Sequence, residues 1–152
     1  MKITIVAIGR GKANHEQALF RYYSEKILFP FQLIEVEEKR SLKGLKLKSS
    51  ECDLLLEKVP KRAVVIALDE RGEQKSSQEL AINIRKWRDN ASHNVVFLIG
   101  GASGLDKKIF TNVEMVLSLG KVTWPHMLVR GLLAEQIFRS QCILSGHPYH
   151  RD

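Results

Sequence analysis

The residues best suited to chemistry crowd the end of this 152-residue chain, where His147, Pro148, Tyr149, His150 and Arg151 bring together two imidazoles, a phenol and a guanidinium. Such a set can position a heteroaromatic ring, stabilise a developing anion or ligate a metal. Chain ends commonly fray, so a disordered terminus is the competing reading. His147 and His150 stand three apart with Cys142 upstream, but Pro148 interrupts any helix that would face both rings one way, and no fourth ligand is evident. Ser103, in the run GASGL, resembles the serine of a nucleophile elbow, yet that turn requires glycine where Leu105 stands. Gly9, Gly11 and Asn14 spell G-x-G-x-x-N and lack the third small residue and the acidic ribose partner of a dinucleotide site. No lysine followed by serine or threonine completes a P-loop. Glu135 can accept a proton, but Arg139 four residues on offers it a helix-surface ion pair instead. One further chemistry is an adenosine-bearing cofactor held by main chain. Gly100, Gly101 and Gly104 permit close backbone approach, and residues 118–124 add peptide groups and an apolar wall suited to an adenine edge and a sulfonium.

The elements that must position these groups are legible as alternating patterns. Residues 2–8, 31–36, 63–68, 94–99 and 114–119 are short apolar or β-branched runs, each broken by turn residues or charge. Asn14 is placed to cap a helix burying Leu19, Phe20, Tyr23 and Ile27 up to Pro30. Ser49 or Ser50 opens a helix through Leu54, Leu55 and Val59, closed by Pro60, and Ser76 or Ser77 with Glu79 opens another carrying Leu80, Ile84 and Trp87. Residues 37–48, rich in lysine and glutamate, read as a long exposed connection, and residues 69–72 as a loop. Residues 126–144 form a helix that is apolar nearly all round, so both the sheet and a second copy of the chain are candidates to cover it. His126, next to Pro125, either orients a substrate or caps this helix. The alternation predicts an α/β fold with a mostly parallel sheet flanked by helices, in one domain. In such sheets ligands lie outside the carboxyl ends of the strands, so the turns after Leu68, Ile99 and Leu119 are expected to wall one pocket.

Composition narrows the class of partner. Lys and Arg number 24 against 17 Asp and Glu, a net charge of +7 that favours a polyanion. Two cysteines far apart fit packing in a reducing, cytoplasmic compartment better than a disulfide framework. No apolar run reaches membrane-spanning length.

The segments KITIVAIGRGK near the start, LIGGASGL (98–105), LSLGKVTWPHMLVRGLLAEQIFRSQCI (117–143) and HPYHRD (147–152) resemble the RlmH family of SPOUT-class methyltransferases over the whole length of the chain. The resemblance implies a homodimeric S-adenosylmethionine-dependent enzyme with a trefoil-knotted C-terminal half that methylates N3 of a pseudouridine in large-subunit ribosomal RNA; the histidine and cysteine spacing predicts no metal, and the RNA is expected to be met within a ribosomal particle. The resemblance places the cofactor at Leu68, Gly100, Leu119, Gly120, Lys121, Val122, Thr123 and Trp124. This chain departs from the family in having Ala102 and Ser103 inside the glycine loop, and in Gly120, Lys121 and Trp124. Beside the resemblance, the tail is read as a lid over the target base. Arg151 would stabilise charge on a ring oxygen, Tyr149 or His150 would position the ring, and Glu135 would be a candidate proton acceptor. Arg10, Lys12 and the basic residues of 37–48 would meet phosphates. A catalytically idle RNA- or ribosome-binding protein of the same fold is the alternative.

Overall fold

The structure is a computed structural model and describes residues 1–151. Asp152, the last residue of the terminal motif, lies outside the described residues. Ten elements follow in order: β1 (Lys2–Ile8), α1 (His15–Ser24), β2 (Phe31–Val36), α2 (Gly44–Leu56), β3 (Val64–Gln74), α3 (Ser77–Asp89), β4 (Asn94–Ile99), α4 (Lys107–Phe110), β5 (Met115–Ser118) and α5 (His126–Ser145). The strands form one five-stranded sheet in the order β2-β1-β4-β3-β5, with every neighbouring pair parallel.

Alternation along the central strands supplies both faces of the sheet. Ile3, Ile5 and Ala7 of β1 and Phe97 of β4 pack with Phe20, Ile84, Trp87, Leu133 and Ile137, that is, with α1, α3 and α5. Val6, Ile8, Val96 and Leu98 point the other way, onto Cys52, Leu55, Leu105 and Ile109. Burial on both faces explains why these strands read as continuous apolar runs. Two helix starts are set by local chemistry. The Asn14 side chain accepts from the Gln17 N–H, and Ser76 with Glu79 forms a reciprocal capping box.

Two expectations are corrected. The helix expected from Ser49 or Ser50 begins at Gly44, shortening the exposed connection to 37–43. Ser50 cannot act as a cap, because its hydroxyl bonds the Glu38 carboxylate and accepts from Arg40, across the chain rather than along it. The supposed loop 69–72 belongs to β3, which meets β5 twice, Leu68 and Glu73 both being in register with Leu117. Gly72 makes the second pass possible, since a Cβ there would lie 2.6 Å from the Val116 carbonyl oxygen.

Candidate active site

Adjacent parallel strands end at similar heights, so their carboxyl-terminal turns face common ground. Leu68 of β3 is in register with Ile99 of β4 and with Leu117 of β5. The segments that follow wall a cavity of about 710 Å³, closed by Lys48 of α2 and by His126 and Val129 at the start of α5. That volume falls within the range of small-molecule and cofactor sites. The expected convergence of the three turns is therefore present. Leu68, Gly100, Leu119, Gly120, Val122, Thr123 and Trp124 all line the cavity, whereas Lys121 is exposed and does not.

Backbone shape defines this cavity. Gly101 and Gly104 form an isolated bridge that folds the β4 turn over itself, and a Cβ on Gly100 would come within 3.0 Å of both the Gly104 backbone and Leu105. Gly120 has φ +121, a conformation closed to ordinary side chains. Ser118, buried at the end of β5, accepts from the Gly120 N–H and donates to its carbonyl at 2.7 Å, pinning the turn. The Trp124 indole N–H reaches the Leu119 carbonyl.

Charged groups at the rim are already engaged. Asp69 accepts from the Arg71 guanidinium at 2.7 and 2.9 Å, which holds its carboxyl below the usual value, and the Thr123 hydroxyl donates to Glu70. Behind the glycine loop, Glu51 has a buried oxygen without a partner. Desolvation, with the Glu38 charge second, pushes its pKa up.

The sequence reading missed Arg130, the largest fully buried side chain among the described residues. Its guanidinium donates to Glu35 Oε1 at 2.6 Å and to the carbonyls of Ile8 and Gly9 at 2.8 Å each. Glu35 Oε1 also accepts from the Gly11 N–H at 2.6 Å, so one ion pair braces the whole turn after β1. An arginine within the apolar first half of the helix, flanked by Leu128, Val129, Leu132 and Leu133, was the available signal.

The tail residues gather elsewhere. Tyr149 folds back onto α5, its hydroxyl 3.0 Å from Glu135 Oε1 and 3.3 Å from that of Tyr23, its ring against Phe138 and under the Arg139 guanidinium. Burial first, then the bonds to Tyr23 and Glu135, push its phenol pKa up. Arg139 also pairs with Glu135 and lies 3.3 Å from His150 Nδ1. Glu135 is nine residues beyond His126, about 14 Å along the helix axis. Arg151 is exposed, and none of Glu135, Tyr149, His150 and Arg151 lines the cavity of its own chain. Ser103 stands exposed at the cavity edge with no hydrogen-bonded base among the described residues. Among the described residues no cluster of three His, Cys, Asp or Glu side chains is placed to hold a metal, and no helix is long and apolar enough to cross a membrane.

Residues 1–150 match the family described as "Predicted SPOUT methyltransferase". The chain is 50% identical to the ribosomal RNA large subunit methyltransferase H of Paramagnetospirillum magneticum and 45% identical to that of Rhodospirillum centenum, in each case over 99% of both chains. A probable methyltransferase from Bordetella pertussis shares the fold, with a TM-score of 0.60 at 14% identity, covering 91% of this chain and 95% of that one. A probable methylase family protein from Haemophilus influenzae also has a TM-score of 0.60, at 12% identity over 99% of this chain and 70% of its own.

Proposed function

Since the chain belongs to the SPOUT methyltransferase family, we propose that it is an S-adenosylmethionine-dependent methyltransferase acting on N3 of a pseudouridine in large-subunit ribosomal RNA. The observation that carries this reading is the cavity itself. Three strand-end turns meet in a glycine-walled space in a chain half identical, over almost its full length, to a ribosomal RNA methyltransferase.

The lining suits the donor. Close main-chain approach at Gly100 and Gly120 leaves room for a flat adenine edge, and Leu68, Leu119, Val122 and Trp124 give an apolar wall. Lys48 and Arg71 against Asp69 and Glu70 offer both signs of charge to an amino-acid end. When bound, the donor supplies a methyl group on a sulfonium. The protein's share is alignment, exclusion of water and removal of the ring N3 proton. The pinned Ser118–Gly120 turn and the folded 100–104 turn are pre-shaped, so little ordering remains to be done when the substrate arrives.

RNA would be met by Arg10, Lys12, Lys39, Lys43 and Lys46, all exposed, the first two on the turn after β1 at the cavity end of the sheet and the others on the connection into α2 or its first turn. Arg40 contributes less, being engaged by the largely buried Glu38 carboxylate. The protein acts as a homodimer in the cytoplasm, with the knotted C-terminal half of its family, and on a ribosomal particle. Because the docked tail does not line its own cavity, a partner's tail is the simpler source of a lid over the target ring. The test is transfer of labelled methyl from S-adenosylmethionine to large ribosomal subunits lacking the modification, with the product nucleoside mapped. Binding to the particle without transfer would instead identify an idle binding protein.

A further inference from the structure

Accepting the proton from N3 requires a group at the cavity that is neutral, or weakly held, at physiological pH. Of the ionisable residues lining it, Lys48 and Arg71 are cations, Asp69 is clamped by Arg71 and Glu70 is bonded by Thr123. Glu135 lies outside the cavity, tied to Arg139 and Tyr149. His126 is different. It stands at the wall between the donor cavity and the turn after β1, half-buried, and its ring has no hydrogen-bond partner among the described residues.

Its surroundings fix both its place and its charge. Its Nε2 lies 3.6 Å from where a Cβ on Gly9 would stand, with Met127 Cε nearer still at 3.2 Å, and Gly9 has φ +86, so the glycine lets the turn after β1 pass close to the ring. Gly9 follows β1, whose Ala7 is in register with Ile99 just before the glycine loop, so the turn sits at the same end of the sheet as the cavity, with His126 between them. Arg130, one helical turn along α5, is locked beneath it by Glu35 and the Ile8 and Gly9 carbonyls. Burial first, and that fixed cation second, hold the imidazole pKa below 6.5, with Glu16 of α1 opposing. The other charges facing it across the cavity are Lys48, Asp69, Glu70 and Arg71.

We propose that His126 is a catalytic residue, the base that accepts the N3 proton of the target ring, which enters on the His126 side of the donor cavity. The step balances as follows. The N3–H bond breaks and its proton passes to the imidazole. The freed electron pair on N3 forms the bond to the methyl carbon, and the carbon–sulfur bond breaks with its electrons left on sulfur as a neutral thioether. The imidazolium then returns its proton to water. This assignment rests on the methyltransferase reading above.

The test is single-turnover methyl transfer to unmodified large ribosomal subunits between pH 5 and 9, roughly the range over which imidazole and ring imide change state, for the wild type, His126→Ala and His126→Gln. Donor affinity is measured by calorimetry on the same proteins. Wild-type rates should rise through an acid limb centred below 6.5 and then level off. Both variants should lose the limb and about 10²-fold or more in rate at neutral pH, with donor affinity within about threefold of wild type. Their residual rate should climb about tenfold per pH unit as hydroxide takes over, and added imidazole should restore part of it in His126→Ala. A wild-type rate or an unchanged acid limb in folded variants would overturn the proposal. So would a loss explained entirely by weaker donor binding, which would make His126 a pocket wall. Absence of transfer by the wild-type protein would instead sink the methyltransferase reading itself.

Discussion

Removing the Glu35 carboxylate should be felt well beyond its own position. Glu35 Oε1 takes hydrogen bonds from the buried Arg130 guanidinium and from the Gly11 N–H, both at 2.6 Å. In Glu35→Ala the guanidinium keeps the Ile8 and Gly9 carbonyls but loses its countercharge, and Arg130 Nε already lacks a partner. Breaking a fully buried pair from one side costs about 3–5 kcal/mol. The Arg130 side chain is 2% exposed and that of Glu35 is 30%, so water reaches the vacated site and about 2–3 kcal/mol is the better figure. At about 2.1 cal/mol/K per residue, a chain of this length should lose roughly 6–10 °C in Tm. Urea melts of Glu35→Ala, Arg130→Met and the double variant would measure it. The double variant should be less destabilised than the sum of the singles by about 1–2 kcal/mol, because the uncompensated charge is then gone. Methyl transfer should fall more than donor affinity in Glu35→Ala, since the turn after β1 loosens while the β4 and β5 turns stay put. Loss of under about 0.5 kcal/mol, or strict additivity, would refute the bracing argument.

Gly72→Ala must move the Val116 and Leu117 backbone, which a Cβ would approach to 2.6–2.9 Å, so stability should drop by several kcal/mol (about 2–4) and donor binding should weaken with it, read by urea melts and calorimetry. Glu51→Gln should stabilise the protein at pH 7. The Glu51 pKa is raised, so folding favours its protonated form; the penalty sets in as pH climbs above the ordinary 4.5 and is complete once pH passes the raised value, so the advantage of the variant should vanish below 4.5 in melts run across pH. Reversing Lys39 and Lys43 to Glu should reduce affinity for large subunits and flatten its salt dependence while leaving donor affinity unchanged in calorimetry. Deleting residues 147–152 should leave the cavity and donor binding intact and abolish methyl transfer; retained transfer would exclude a lid role for the tail.

Much of the frame is local and was legible in residue order. Lys2–Ile8, Phe31–Val36 and Asn94–Ile99 are strands because β-branched runs bounded by turn residues need no distant partner to declare themselves. The Asn14 and Ser76 caps follow from side chains bonding amides three residues on. The three turns that wall the cavity were legible for the same reason, parallel strands placing their carboxyl ends together. Other features required the folded chain. Ser50 is drawn to Glu38 and Arg40 rather than to a helix end, so α2 starts earlier than its serines suggest. β3 passes β5 twice because Gly72 can lie against the Val116 carbonyl, a relation between segments more than forty residues apart. Arg130 is buried because Glu35, 95 residues earlier, and two carbonyls of the first turn meet it there. Sequence records each residue's own preference for helix, strand or turn. Which charge is desolvated, and what compensates it, is a property of pairs that only the tertiary structure brings within a few ångströms.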